Sequence, residues 1–162
     1  MKQYILLAAA AVLIAPSCKK SSSSTPAPSS SIPSNGWKLG TTTYSTVLTN
    51  RLASINELSA FDGTPSGSTP AVNTLNVYFS ALPSTGGTFH IVSYPATLAS
   101  NEIGIAAATY SPGADYVTTG HDGIDATVTV TGGKIKVVIP SVWVKNTSAG
   151  DSLKLTGTLV EQ

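Results

Sequence analysis

Cysteine is almost absent from this chain: Cys18 stands alone in 162 residues. A single thiol forms no internal disulfide, so no covalent staple holds the fold. Charge is scarce too, at 10% of residues, against about 25% in an average soluble domain. Arg51 is the one arginine, and from residue 35 on six bases meet eight acids, a net of −2. A mildly acidic domain with no basic stripe interleaved with aromatics argues against nucleic acid as a partner. Histidine is limited to His90 and His121, and no G-x-S-x-G elbow exists. Metal-ligand histidine pairs and a serine-hydrolase motif are therefore missing, and the acids read as loop or surface positions. These absences predict no enzyme, no metal and no cofactor.

What the chain does have is a hairpin. From Ile124 to Thr131, Ile124, Ala126, Val128 and Val130 alternate with Asp125, Thr127, Thr129 and Thr131. Period two marks a strand with one buried face. Gly132-Gly133 follows, then Lys134 to Ile139. Glycine reaches the positive φ of a two-residue turn without a Cβ clash. Folding about that turn sets Val130 opposite Ile135, Val128 opposite Val137 and Ala126 opposite Ile139. Thr129 then faces Lys136, and Thr131 faces Lys134. A slip of one residue would bury two lysines, so turn and pattern specify one register.

Other stretches read the same way. Trp37 to Thr46 forms a first strand region after the Asn35-Gly36 turn signal. Val47 to Leu58 fits either a strand or a short helix, and the β-rich context favours strand or loop. Ser59 to Asn73 holds Asp62-Gly63, Pro65, Gly67 and Pro70 and reads as a long loop. Strands follow at Leu75–Phe79, Phe89–Tyr94, Glu102–Tyr110 and Tyr116–Thr119. Pro140 cannot donate to a ladder, so it marks an edge or a bulge ahead of Val142 and Val144. Leu153, Leu155 and Leu159 carry a last strand. About eight or nine short strands with regular turns predict an all-β fold, an antiparallel β-sandwich or open barrel.

The N-terminus reads differently. Lys2 precedes the apolar run Ile5–Ile14, which is too short for the roughly 20 residues of a membrane-spanning helix. It fits the h-region of an export signal. Ala15, Pro16 and Ser17 then lead into Cys18. Small residues before a cysteine at this place resemble a bacterial lipoprotein signal. That resemblance implies cleavage before Cys18, acylation of its thiol and anchoring in a membrane. Ala15 stands where that family usually has Leu, and ordinary secretion with cleavage at the same bond is the alternative. Lys19 to Ser34 is Ser-, Pro- and Thr-rich and is expected to be a disordered tether. The expected organisation is a signal over 1–17, a lipidated cysteine and linker over 18–34, and a β domain over 35–162.

The stretches LNVYFSALPSTGGTFHIVSY, KIKVVIPSVWVKN and LKLTGTL resemble the C-terminal all-β domains of small, uncharacterised lipoproteins of Bacteroidota-type bacteria. The resemblance implies a β fold and an envelope address, and no activity. In those bacteria acidic residues after the cysteine mark surface export. Lys19 and Lys20 stand there instead, which favours an outer-membrane anchor facing the periplasm.

The candidate contact residues are few. His121 and Asp122, with Asp115 and Asp125 nearby, form the one polar cluster. It suits a weak cation or ligand site, or a turn whose aspartates cap backbone amides. Trp143 and Trp37, with Tyr78, Tyr94, Tyr110 and Tyr116, would stack on a sugar ring or pack in the core. Loops Ser59–Asn73 and Tyr110–Gly123 are the best placed for contacts. The expected function is a membrane-tethered, non-enzymatic binding or structural module of the envelope. Its partner would be another envelope protein or a glycan held by Trp143 or Trp37, and a hydrolase is the more distant alternative.

Overall fold

Gly132 and Gly133 take φ of +59° and +77°, the left-handed pair that a two-residue hairpin turn requires. They join β9 (Asp125–Thr131) to β10 (Lys134–Asn146). Ile135 pairs with Val130, Val137 with Val128, Lys136 with Thr129 and Lys134 with Thr131, as the alternation predicts. The ladder ends at Val138–Thr127, one pair short of the expected Ala126–Ile139, where β10 begins to bend. The computed structural model describes residues 34–67 and 71–162. The leader, Cys18 and the linker as far as residue 33 lie outside the described residues.

Nine further strands surround the hairpin. They are β1 (Gly36–Leu39), β2 (Thr42–Ser45), β3 (Leu48–Leu52), β4 (Glu57–Phe61), β5 (Thr74–Phe79), β6 (Gly87–Ile91), β7 (Glu102–Thr109), β8 (Ala114–Thr118) and β11 (Ser152–Val160). The protein is all-β, with all eleven strands in a single sheet ordered β2-β1-β11-β10-β9-β6-β7-β5-β4-β3. β8 bridges β7 and β10. The strands at the two ends of this order, β2 and β3, follow one another in the chain, with only Thr46 and Val47 between them. The sheet must therefore fold over on itself to bring its ends together. The result is sandwich-like, with β2, β1, β11, β10 and β9 against β7, β5, β4 and β3. Arg51 on β3 ties the two halves, since its guanidinium donates to Gly133 O and to Glu161, each at 2.5 Å. Burial alone would raise the Glu161 pKa, but the Arg51 bond and the Ile135 N–H outweigh it and hold the carboxyl below its ordinary range.

Most of the strands turn an apolar face inward, and these faces share one core. Trp37, Leu58, Leu75, Val77, Ile103, Ile105, Val137, Ile139, Val144, Leu155 and Leu159 are all nearly inaccessible. Every strand of this core lies between Gly36 and Val160, and Ser31–Gln162 forms one compact unit.

Three expectations are corrected. There are eleven strands rather than eight or nine, because Trp37–Thr46 divides at a turn into β1 and β2. Val47–Leu58, by contrast, is strand and loop as its β-rich context favours: it holds β3, a short 3-10 turn at Ala53–Ile55, and the start of β4. The long loop begins only after Phe61. β4 hid because Glu57 and Ser59 are buried as well as Leu58 and Ala60, so both faces are covered and polar residues sit where exposure was assumed. Lastly, the sheet is not wholly antiparallel. β6 and β7 run parallel at His90–Glu102 and Ile91–Ile103. Parallel neighbours need a crossover between them, which residues 92–101 supply.

Candidate functional site

The bend in β10 builds the site. Against β11, Ile139 pairs with Gly157 and Val142 with Leu155. Three steps along β10 thus match two along β11, which is a bulge of one residue. Pro140 sits in that bulge, where its missing N–H costs no ladder bond. The consequence is a change of parity. Ile135, Val137 and Ile139 face inward, and so do Val142, Val144 and Asn146. An unbroken period of two from Ile139 would turn Trp143 into the core. The bulge turns it out, and the indole is 43% exposed.

The loop after β8 then comes to meet it. Val144 pairs with Thr118 and Lys145 with Val117, so residues 119–124 leave β8 beside Trp143. The loop is pinned at its start by Thr118, whose hydroxyl donates to Val92 O at 2.6 Å and accepts from Ile105 N at 3.2 Å. At its end Ile91 N donates to Ile124 O at 3.0 Å. Between these pins Asp122 Oδ2 accepts the Trp143 backbone N–H at 2.7 Å. Across the strand Lys154 Nζ lies 4.4 Å from the indole centroid, a cation–π contact. Thr119, His121, Asp122, Trp143, Lys145, Gly150 and Ser152 line a shallow depression of about 530 Å³.

Three of the four expected contact residues, Trp143, His121 and Asp122, therefore converge. Trp37 does not join them. It is 1% exposed and stacks on Tyr44 at 5.1 Å between centroids. Its ring points into the core because β1 pairs with β11 at Trp37–Gly157. Gly157 leaves room for it, since a Cβ there would lie 2.9 Å from Trp37 Cβ. Trp37 is core, not a ligand platform.

The rest of the expected aromatic surface divides as well. Tyr116 is buried. Tyr78 and Tyr94 stack on each other at 4.2 Å. Tyr110 is exposed and lines a second depression of about 350 Å³ with Tyr44, Asn73 and Pro112. The acids also separate. Asp125 pairs with His90 Nδ1 at 2.9 Å, while Asp122 serves a backbone amide. Among the described residues no three His, Cys, Asp or Glu side chains gather as a metal site.

Two features escaped the sequence. Lys154 lies over the indole only because of the β10–β11 register, which joins residues far apart in the chain. Glu57, read as a surface acid, is 5% exposed and accepts a hydrogen bond from Ser59 Oγ. Burial lifts the nearby Tyr78 phenol well above its ordinary pKa, and Glu57 adds to the rise.

Gly120 holds the loop against the sheet. Its φ is +70°, and a Cβ there would lie 2.5 Å from Ser93 N. Gly120→Ala is expected to cost about 2–3 kcal/mol and to swing His121 and Asp122 away from Trp143. Denaturant unfolding measures the first effect, and quenching of Trp143 fluorescence the second. A variant as stable as the parent would show that the close approach at Ser93 yields freely.

No family, curated protein or solved structure matches the chain.

Proposed function

We propose that this protein is a non-enzymatic binding module of the bacterial envelope, held at a membrane through Cys18, and that a glycan is its ligand. A periplasm-facing outer-membrane anchor fits the lysines after Cys18. One observation carries the binding reading. A half-exposed indole stands on an outward sheet face, turned there by a bulge, with hydroxyl, imidazole, carboxylate and ammonium groups around it. An aromatic face bounded by polar donors and acceptors suits a sugar, which has an apolar ring face and hydroxyls at its rim. Binding is favoured over hydrolysis because Asp122, the carboxylate that lines the depression, already accepts the Trp143 backbone N–H, and Asp125 pairs with the His90 ring.

Trp143→Ala tests the reading. Exposed side chains contribute little to folding, so stability should shift by less than about 0.5 kcal/mol. Retention on glycan-bearing gels or arrays should fall at least about tenfold, the loss of roughly 1.4 kcal/mol of contact. An unfolded variant would make Trp143 a packing residue. A folded variant with unchanged retention would remove the platform.

A further inference from the structure

The outward faces of β1, β11 and β10 gather charge that the sequence scatters. Lys154 stands across from Trp143, Lys38 across from Thr156, Lys136 across from Thr129 and Lys134 across from Thr131. Lys145 follows two places after Trp143 on the same face. Five of the six bases from residue 35 on thus share one face of three adjacent strands. Arg51, the sixth, is paired with Glu161 on the edge.

From Lys145 to Lys134 the row runs the length of β10, roughly 30–35 Å at the strand rise. Two depressions lie along it. One is the Trp143 site. The other, about 450 Å³, is lined by Thr129, Thr131, Lys134, Lys136, Val160 and Glu161. Thr129 and Thr131 are exposed and offer hydroxyls.

The acids near the row are Asp122, Asp125, Glu161 and Asp151. Three are engaged, by the Trp143 amide, by His90 and by Arg51 with the Ile135 amide. Asp151 sits in the turn before β11.

We infer that the row binds an anionic glycan chain, long enough to bridge both depressions, with one sugar stacked on Trp143. This rests on the Trp143 reading and adds the charge of the ligand. The position of Lys154 supports it. Its ammonium covers the indole in the free protein, so a neutral sugar reaching that face must displace it without compensation. A carboxylated or sulfated sugar draws the same ammonium into an ion pair while the ring takes the stack. Lysine suits a flexible chain of point charges, since its donors rotate and need no fixed fork.

The test uses the compact unit, residues 31–162, in gels cast with polygalacturonate, alginate or heparin, and with fully methyl-esterified polygalacturonate as the uncharged control. Retardation by at least one anionic chain is expected, with the ester at least about tenfold weaker. Retardation should vanish near 0.5 M salt, where screening is short-ranged. The Lys136→Gln/Lys154→Gln double variant should weaken it about tenfold, in line with a few exposed ion pairs. Equal retardation by the ester, lost in Trp143→Ala, would overturn the charge assignment and leave the platform standing. Retardation by an anionic chain that Trp143→Ala leaves intact would remove the platform and keep the lysine row. No retardation by any anionic chain, or a double variant that behaves as the parent, sinks the inference. Equally strong binding to duplex DNA or to phosphatidylglycerol vesicles overturns the assignment to a glycan.

Discussion

Trp37→Ala should destabilise the domain by about 3–5 kcal/mol, the usual range for truncating a buried aromatic. For a domain of this size that lowers the thermal midpoint by roughly 10–20 °C. The argument is geometric. Trp37 is the largest of the fully buried side chains, and it lies where β1 packs on β11 beside Gly157. Tyr44 on the next strand stacks on its ring, so the truncation exposes a second aromatic and loosens β2 as well. The sheet has limited means of closing the gap. β1 is held between β2 and β11, and Gly157 has no side chain to move into the space. Calorimetry of residues 31–162 with and without the substitution measures the effect. A loss below about 1 kcal/mol would mean that the core closes without this ring. The contrast with Trp143→Ala separates the two tryptophans, one fixing the fold and the other free to meet a partner.

That contrast marks the limit of sequence reading here. The hairpin was legible because its turn and its period agree over adjacent residues. The outward turn of Trp143 was partly legible, since Pro140 marked an edge or a bulge and Trp143 takes the face opposite Val142 and Val144, but which face is inward was left open. The inward turn of Trp37 was not, because four residues of β1 give too short a period to choose a face, and the choice comes from Gly157 far along the chain. β4 was missed for a related reason. Its Glu57 and Ser59 are polar yet covered by tertiary packing, which reverses the usual sense of polarity. The gathering of Lys134, Lys136 and Lys154 was half visible, as alternation put each on an outer face, whereas Lys145 was not read. Only the β10–β11 register and the bulge place Lys154 on the indole. The approach of His121 and Asp122 to Trp143 depends on β8 pairing with the far end of β10. No local pattern encodes that pairing.

Cys18→Ser carries the other large expectation, and it is close to all-or-none. The lipid-anchor reading holds that the Cys18 thiol is acylated and becomes the first residue of the mature chain. Serine offers no thiol for that bond. Each buried methylene of an acyl chain contributes about 0.8 kcal/mol, and one chain gives only marginal membrane binding, whereas two or three hold firmly. The variant should therefore move from the membrane fraction to the soluble fraction, or stall with its leader uncut. The mass of the parent from membranes should exceed that of the chain beginning at Cys18 by its acyl groups. Ordinary secretion makes the opposite forecast. The parent would carry no added mass, and the serine variant would be cut at the same bond and fractionate as the parent does. The basic row sharpens the measurement, because lysines also hold a protein to anionic lipid, through forces that salt screens. A salt wash removes electrostatic attachment and leaves acyl attachment, so parent protein released by salt alone would contradict the anchor even if it first sedimented with membranes.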